Sequence, residues 1–270
     1  MRSVLSIQDL SCVGRCSLTV AMSVISAMGI RCSVLPTAVL STHTGFPKPE
    51  VVSLTEHLGA FGDHWESVEI SFDAVTTGYL AGPDQAEAIL PLLQRYRAQG
   101  STIIVDPAMA DHGKLYSRLG QDHVLAMAKL CREADILLPN VTEAALLTGL
   151  PYQSDTDEIY LQNLSTTLVE RFGIKAVVIT GVTGKDGTIG FFGCNDQKEF
   201  FSYFAPAIPR QCHGTGDLYA AVFTGSLLRG KTIYHSGVAA ADFVRLCVAN
   251  TTTVSPHGVE FETQIPQLFA

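Results

Sequence analysis

Short apolar runs alternate along the chain with longer stretches in which apolar residues recur at helical spacing. The runs at 102–105 and 176–180 are apolar without alternation, which is typical of strands buried on both faces of a parallel sheet. Further strands are predicted at 4–8, 31–40, 74–77 and 136–138, and an antiparallel pair at 188–192 and 199–204. Helices are predicted at 16–28, 51–58, 85–99, 123–132, 142–147, 157–172, 218–228 and 233–253.

This alternation predicts an α/β fold in which helices cover both faces of a mostly parallel central sheet. A chain of 270 residues could form one large domain or two small ones. Because no repeat and no linker rich in Pro, Gly or Ser divides it, we expect a single domain over residues 1–270. In such sheets, ligands bind beyond the carboxyl ends of the strands. The polar residues at these ends are Asp9, residues 42–44, Tyr79, Asp106, Asn140 and Thr180.

Composition narrows the class of protein. Hydrophobic residues make up 47% of the chain and charged residues 16%, which allows a sizeable core and argues against disorder. A net charge of −8 argues against a nucleic-acid-binding surface, and the apolar runs are too short to span a membrane. The N-terminus has too short an apolar run for a signal peptide, so we expect a soluble cytoplasmic protein. Seven cysteines without a Cys-x-x-Cys pair indicate neither a disulfide framework nor a zinc site.

The segment 211–219, which reads QCHGTGDLY, is the strongest candidate for chemistry. Gly214 and Gly216 lack a Cβ, so the backbone there can turn tightly and approach a ligand closely. A helix is predicted to follow, and the free N–H groups at a helix N-terminus bind anions. Asp217 could take a proton from a nucleophile, so the segment indicates a phosphoryl-transfer site. The alternative is an ordinary helix start with Thr215 or Asp217 as its cap.

Asp106, Asn140 and Glu143 form a second constellation. Asn140 and Glu143 lie three residues apart, at a strand end and on the first turn of a predicted helix, so both could face one ion or its waters. Magnesium prefers oxygen ligands and usually bridges to phosphates. The alternative is a turn aspartate before Pro107 and a helix-capping pair. With an anion site downstream, the magnesium interpretation is favoured.

The segment 181–188 contains a Gly-Lys pair but is not a nucleotide P-loop. Ile179 stands where that motif needs glycine, and Asp186 follows Lys185 where it needs Ser or Thr. The segment therefore predicts a turn, near which a nucleotide could lie.

The loop at residues 41–49 is dense in hydroxyls, glycine and proline. Through His43, Thr44 and Phe46 it could line a small-molecule pocket, or it could be a plain connection. Tyr79 could stack on a ligand or donate its hydroxyl, or only fill the core. We expect His43, His112 and His213 to lie at the surface or behind the site, not to act as ligands.

Taken together, these motifs resemble the ribokinase superfamily. The likeness rests on Gly-Thr-Gly-Asp at 214–217, Asp-Pro at 106–107 and Pro-Asn-x-x-Glu at 139–143. Within the superfamily, IQDLSCVGRCSL near the start, STHTG at 41–45, GYL at 78–80 and DPAM at 106–109 resemble the pyridoxal/pyridoxine kinases. The matching motifs extend over nearly the full chain and occur in the same order as in that family. Residues 31–50 are too short for the β-strand lid of the sugar kinases, which implies a ribokinase-like three-layer α/β/α sandwich without a separate lid domain.

The resemblance implies roles at the phosphate end of the site. Asp217 would be the base that activates the substrate hydroxymethyl group. Mg²⁺ and the triphosphate of ATP would be organised around the two acidic residues Asp106 and Glu143, together with Asn140. Tyr116 would touch the terminal phosphate. The anion hole would be formed by the backbone amides of Gly214, Thr215, Gly216 and Asp217.

The resemblance also implies roles for residues away from the phosphates. Thr180 and Gly184 would lie along the nucleotide. Asp9, Thr44 and Tyr79 would hold the pyridine ring of the substrate. Many pyridoxal kinases have Ser where this chain has Asp9, and an anion there could pair with a protonated ring nitrogen.

The activity implied is transfer of the γ-phosphate of ATP to the 5′-hydroxymethyl group of pyridoxal, pyridoxine or pyridoxamine, by an enzyme that forms a homodimer. One alternative is a hydroxymethylpyrimidine or small-alcohol kinase. The related hydroxymethylpyrimidine kinases often place Cys at the position of Asp217, which favours the pyridoxal chemistry. A second alternative is a non-catalytic vitamer- or nucleotide-binding protein that kept the fold. The intact Asp217 argues against it, because binding does not need a base.

Overall fold

Nine strands form one central sheet across residues 1–253 and 256–269, the part of the chain that the computed structural model describes. Two further strands, β6 and β7, pair with each other in a separate hairpin. In chain order the strands are β1 (Ser3–Ser11), β2 (Arg31–Leu40), β3 (Val51–Ser53), β4 (Ala74–Thr77), β5 (Thr102–Val105), β6 (Ala110–Asp111), β7 (Lys114–Leu115), β8 (Ile136–Leu137), β9 (Ala176–Thr183), β10 (Thr188–Asn195) and β11 (Phe200–Pro206). Their order across the sheet is β11-β10-β9-β8-β5-β4-β1-β2-β3.

The middle of the sheet is parallel from β9 through β8, β5, β4 and β1 to β2. The antiparallel strands are β10 and β11 at one edge and β3 at the other. Parallel strands bring their carboxyl ends to one edge of the sheet, and the loops that follow these ends carry most of the predicted site residues.

Helices cover both faces of the sheet. One face carries α2 (Thr55–Ser67), α3 (Pro83–Ala98), α4 (Gln121–Cys131), α5 (Val141–Thr148) and α6 (Glu158–Phe172). The other face carries α1 (Ser17–Ala27), α7 (Thr215–Leu228) and α8 (Ile233–Asn250). Among the described residues, no helix combines the length and the apolar character needed to cross a membrane.

The sheet separates two hydrophobic cores, because successive strand residues point to opposite faces. In β5, Ile103 and Val105 pack under α2 to α6, whereas Ile104 packs under α1, α7 and α8. In β9, Val178 faces the second core as well. The predicted α/β class, with a mostly parallel sheet between two helical layers, is confirmed.

Strands β2, β4 and β5 have the predicted bounds, but the prediction of a helix at 51–58 was wrong. Val51 and Val52 pair with β2 in the short strand β3, and α2 begins only at Thr55. β-Branched residues suit an edge strand, and pairing with β2 outweighs the helical spacing of the segment. The hairpin of β6 and β7 was not predicted, because two-residue strands carry no readable periodicity.

Strand β1 extends beyond its predicted end. We expected Asp9 to begin a polar loop, but the strand continues to Ser11. After an irregularity between Gln8 and Leu10, β1 resumes its pairing with β2, and this pairing keeps the polar residues in the sheet. Asp9 is therefore fixed by a strand and not by a loop.

His123 on α4 is a buried polar group in one core. Its side chain has no exposed surface, and within the described residues neither ring nitrogen has a hydrogen-bond partner. Burial lowers the pKa of this imidazole below its usual value of 6.5. Burying an unpaired polar group costs about 1–3 kcal/mol.

We predict that His123→Leu stabilises the protein by about 1 kcal/mol in urea unfolding at pH 7.5. The folded pKa is lowered, so the unfolded chain binds more protons and wild-type stability falls as the pH drops below 6.5. His123→Leu should remove this part of the pH dependence. The matched control is His64→Gln at an exposed position of α2. Equal stability of His123→Leu and wild type at both pH 7.5 and pH 5.5 would contradict the prediction.

Candidate active site

The glycine turn begins at Gly214, which has a φ of 79° and is the N-cap residue of α7. No side chain among the described residues caps this helix, so the structure does not support Thr215 or Asp217 as an ordinary cap. The N–H groups of the first turn lack intrahelical acceptors, and the helix dipole is positive there. The turn therefore offers backbone donors to an anion.

Three loops meet at this turn. A β-carbon on Gly214 would overlap the carbonyl oxygen of Arg15, so only glycine permits the approach. Arg15 donates its backbone N–H to the carbonyl oxygen of His257 at 2.8 Å. Val259 donates its N–H to the carbonyl oxygen of His213 at 2.9 Å. These backbone contacts hold the start of α7 against the loops before α1 and after α8.

Asp217 lies partly buried in the first turn of α7. Burial raises the pKa of this carboxyl to about 7, a hydrogen bond from the backbone N–H of Ser17 lowers it, and the charge of Asp9 raises it. A base works best when its pKa lies near the operating pH. Asp217 is therefore suited to accept a proton at neutral pH.

Asp9 is almost fully buried, with 2% of its surface exposed. Its Oδ2 accepts a hydrogen bond from the hydroxyl of Ser11 at 2.9 Å. Burial raises the pKa of this carboxyl, whereas hydrogen bonds from Ser17 and Ser11 and the charge of His43 lower it. The charge of Asp9 acts on the carboxyl of Asp217 and on the imidazole of His43. Strand β1 therefore brings Asp9 near both Asp217 and the loop at 41–49.

Two residues of the site were not predicted from sequence. Cys16 lies beside the glycine turn, with its sulfur 3.6 Å from where a β-carbon of Gly214 would stand. Burial raises the pKa of its thiol far above the usual value, so the thiol is neutral. Ser17 is buried and has a φ of 50°, which is uncommon for a residue with a side chain. In the sequence, both residues stood at a predicted helix start and within the segment IQDLSCVGRCSL, but neither was assigned a role in the site. Cys212, which precedes the glycine turn, is half-buried and packs against the core under α1, α7 and α8.

Asn140 and Glu143 form a capping box at the start of α5. The Oδ1 of Asn140 accepts from the N–H of Glu143 at 2.9 Å, and the Oε2 of Glu143 accepts from the N–H of Asn140 at 2.8 Å. The cap is therefore Asn140, and the helix begins at Val141, one residue before its predicted start. Of the two interpretations considered from sequence, the helix-capping pair is present, and Glu143 makes further contacts to the hairpin described below.

Asp106 follows β5 and is half-buried. Within the described residues its carboxylate has no hydrogen-bond donor. Burial raises the pKa of this carboxyl well above its usual value, and the charges of Glu143 and Asp217 raise it further. Asp106 thus faces two other acidic groups without a compensating donor, which is a setting that a cation would stabilise.

Two tyrosines lie at the mouth of this acidic cluster. The rings of Tyr79 and Tyr116 are tilted against each other with centroids 6.3 Å apart. Burial raises the pKa of both hydroxyls. The negative charge of Asp9 raises the pKa of Tyr79 further. At Tyr116, the further increase comes from the charges of Glu143, Asp106 and Asp217. Both hydroxyls therefore stay protonated and can donate hydrogen bonds.

The loop at 41–49 is fixed through His43, which is buried and not at the surface. The N–H of Gly45 donates to Nδ1 of His43 at 3.0 Å, so Nε2 carries the proton and donates to the carbonyl oxygen of Pro256. The ring of His43 also packs on that of His213, with centroids 5.3 Å apart. Thr44 remains exposed beside this anchor.

Thr180 lies in β9, and Gly184 follows the end of that strand. Thr180 donates its N–H to the carbonyl oxygen of Pro139 at 2.8 Å and forms a bridge with Asn140. Gly184 lies in the turn between β9 and β10, where a β-carbon would clash with Thr188. Among the described residues, no contact joins Gly184 or Thr44 to the carboxylates, so their assigned roles stay predictions.

Within the part of the chain that the structure describes, one edge of the sheet combines three groups: a carboxyl whose pKa is about 7, backbone N–H donors at the start of α7 that lack a side-chain cap, and the carboxylate of Asp106, which has no donor. Such a site can remove a proton from a hydroxyl, stabilise negative charge and hold a cation. The residues brought together are Asp9, Tyr79, Asp106, Tyr116, Asn140, Glu143, Thr180 and the turn at 214–217.

Comparison with known proteins gives a consistent result. The phosphomethylpyrimidine kinase family matches residues 23–260. The hydroxymethylpyrimidine/phosphomethylpyrimidine kinase of Bacillus subtilis is 32% identical over 190 residues, which are 69% of this chain and 67% of the bacterial protein.

Two solved structures are similar to this chain over its full length. Pyridoxal kinase from Lactobacillus plantarum is 34% identical with a TM-score of 0.89, covering 100% of this chain and 97% of that one. A Bacteroides thetaiotaomicron structure with pyridoxal, assigned to the phosphomethylpyrimidine kinases, is 30% identical with a TM-score of 0.93 and covers 100% and 96% of the two chains.

We predict that Gly214→Ala destabilises the protein more than Gly29→Ala does. Both glycines have φ near 80°, so both variants incur the left-handed backbone penalty of about 1–2 kcal/mol. A β-carbon meets nothing within 4 Å at Gly29 but overlaps the carbonyl oxygen of Arg15 at Gly214. The difference in free energy of unfolding, measured in urea, isolates this contact. Equal losses in the two variants would show that the close approach does not constrain the turn.

Proposed function

The chain belongs to the phosphomethylpyrimidine kinase family, and we propose that it transfers the γ-phosphate of ATP to the 5′-hydroxymethyl group of pyridoxal, pyridoxine or pyridoxamine. The observation that carries the proposal is Asp217, a carboxyl with a pKa of about 7 in the first turn of α7 behind a glycine turn with free amides. Similarity to a pyridoxal kinase and to a structure containing pyridoxal supports the choice of substrate.

Asp217 takes the proton of the substrate hydroxymethyl group in this reaction, which makes the oxygen a better nucleophile. Such general-base catalysis contributes about 10²- to 10⁴-fold. The backbone N–H groups of Thr215 and Gly216 donate hydrogen bonds to the negatively charged oxygens of the transferred phosphoryl group. In phosphoryl transfer, the protein mainly positions the reactants and stabilises charge, and this turn can do both.

Mg²⁺ fits the residues around Asp106. The carboxylate of Asp106 has no donor in the described residues and faces Glu143 and Asp217, so a divalent cation would relieve the repulsion there. When bound, the ion would neutralise charge on the triphosphate of ATP. Thr180 and Gly184 are proposed to lie along the nucleotide, and Tyr116 to donate its protonated hydroxyl to the terminal phosphate.

Asp9, Thr44 and Tyr79 are proposed to hold the substrate ring. Asp9 is buried, and the pKa of its carboxyl is raised. This carboxyl can therefore share a proton with the nitrogen of the pyridine ring. Tyr79 offers a hydroxyl donor and a ring face. The loop with Thr44 is held close to the glycine turn by His43.

A hydroxymethylpyrimidine kinase is the second candidate function. It is favoured by the family match and by the identity with the Bacillus subtilis protein. Both substrates present a hydroxymethyl group on a heteroaromatic ring, so one site could serve either.

We also propose that the enzyme is a cytoplasmic homodimer. All seven cysteines are free, which suits a reducing compartment. The dimer is supported by the resemblance to the pyridoxal kinases and by exposed apolar side chains such as Val52 on the edge strand β3. Sedimentation velocity measures the oligomeric state.

Asp217→Asn should lower kcat by about 10²- to 10⁴-fold while the affinity for the vitamer changes little, because the amide keeps the shape but cannot accept the proton. ADP release is measured with pyridoxal, pyridoxine, pyridoxamine and hydroxymethylpyrimidine. Wild type should turn over at least one B6 vitamer. Near-normal turnover by Asp217→Asn would exclude its role as the base. Vitamer binding by wild type without ADP release on any substrate would indicate a binding protein.

The rate should depend on pH through Asp217. A base must be deprotonated, so kcat/KM is expected to fall as the pH drops below about 7, by tenfold per pH unit. The charge of Asp9 raises the pKa of Asp217, so Asp9→Asn should move this acid limb to lower pH. Asp196→Asn, the same change at an exposed turn, should leave the limb in place. An unchanged limb in Asp9→Asn would refute the electrostatic link.

A further inference from the structure

The hairpin of β6 and β7 is fastened to the first turn of α5 by side chains. Asn140 donates from Nδ2 to the carbonyl oxygen of Ala110 at 2.7 Å. Thr142 accepts at its hydroxyl from the N–H of Gly113 at 3.0 Å. Each of these residues comes from the capping segment of α5, so the helix start also supports the hairpin.

Glu143 makes the central connection. Its Oε1 accepts from the N–H of Met109 at 3.0 Å and from the N–H of Ala110 at 3.4 Å, while its Oε2 accepts from the N–H of Asn140 at 2.8 Å. A carboxylate has about four acceptor positions, and three are used here. With only 2% of Glu143 exposed, little room remains for a hydrated cation at this group.

The segment held by Glu143 leads to Tyr116 at the mouth of the site. Tyr116 donates its backbone N–H to the carbonyl oxygen of Met109 at 2.9 Å. Its hydroxyl lies in the field of Glu143, Asp106 and Asp217. The position of Tyr116 therefore depends on the same backbone residue that Glu143 holds.

We propose that Glu143 is a positioning residue that holds residues 109–116 over the site through the amides of Met109 and Ala110, and that Asp106, not Glu143, contacts the metal ion directly. The catalytic part of this assignment rests on the proposed kinase function. The structural part rests only on the hydrogen bonds that Glu143 accepts from backbone amides.

The substitution Glu143→Gln distinguishes the two roles. Glutamine has one acceptor oxygen and one donor group, so it cannot accept from Asn140 at one end and from Met109 and Ala110 at the other. It places an N–H₂ group against at least one backbone N–H. The side-chain volume is nearly unchanged, which limits other effects.

Amide hydrogen exchange of the metal-free, nucleotide-free enzyme is the first measurement, resolved to single amides by mass spectrometry. In Glu143→Gln we expect the amides of residues 109 and 110 to exchange about tenfold faster, the effect of losing one hydrogen bond. Asp106→Asn should leave these amides unchanged. The matched control Glu158→Gln, at the exposed first turn of α6, should also leave them unchanged.

The second measurement is the Mg²⁺ concentration that gives half-maximal ADP formation. Asp106→Asn should raise it about tenfold or more, the loss of one charged ligand. Glu143→Gln should lower kcat and leave the half-maximal Mg²⁺ concentration within about twofold of wild type, because its effect is on the hairpin.

Unchanged exchange in Glu143→Gln together with a raised Mg²⁺ requirement would overturn the proposal and make Glu143 a metal residue. If Glu143→Gln does not fold, Glu143→Asp tests the same contacts, because its carboxylate is one methylene shorter and cannot span the amides of Asn140 and of Met109 and Ala110 together; exchange at residues 109 and 110 should again be faster. Unchanged exchange of these two amides in that variant would also overturn the proposal. If wild type releases no ADP, the proposed function fails, but the exchange data still decide whether Glu143 holds the hairpin.

Discussion

The backbone of Gly214 and the carbonyl oxygen of Arg15 approach so closely that a β-carbon would not fit between them. This contact sets the position of the α7 N-terminus relative to β1 and α1, which bring Asp9 and Ser17 to the same place. The loop after α8 completes the packing through backbone hydrogen bonds to Arg15 and His213. The placement of Asp217 follows from this junction, because Asp217 lies in the first turn of the helix that begins there.

The acidic groups at the edge of the sheet are stabilised unequally. Glu143 is held by three backbone N–H groups, and Asp9 by hydroxyl donors. Asp106 has no donor in the described chain, and the pKa of Asp217 is raised by burial despite one backbone donor. Glu143, which has the most donors of these groups, serves the architecture, whereas Asp106 and Asp217, which are left partly unsatisfied, are available to a cation or to a substrate proton.

The residues that cap α5 also hold the hairpin of β6 and β7. Asn140 and Glu143 are a standard capping box, yet both also reach the hairpin that carries Tyr116. The helix-capping interpretation drawn from sequence is therefore correct, and the same pair also holds the hairpin through backbone groups of residues 109 and 110. The order of the motifs was visible in the chain, but the hairpin was not, because its strands are two residues long and their partners are side chains of another element.

The sequence by itself determined the α/β class, the bounds of β2, β4 and β5, and the glycine turn with Asp217, since apolar runs and glycine spacing are local properties. Only the tertiary structure decided that β1 continues through Asp9, because that extension depends on pairing with β2 beyond an irregularity. It alone also placed Cys16 and Ser17 beside the turn and gave Glu143 its backbone partners. These outcomes depend on contacts between residues distant in the chain, and no local pattern records such contacts.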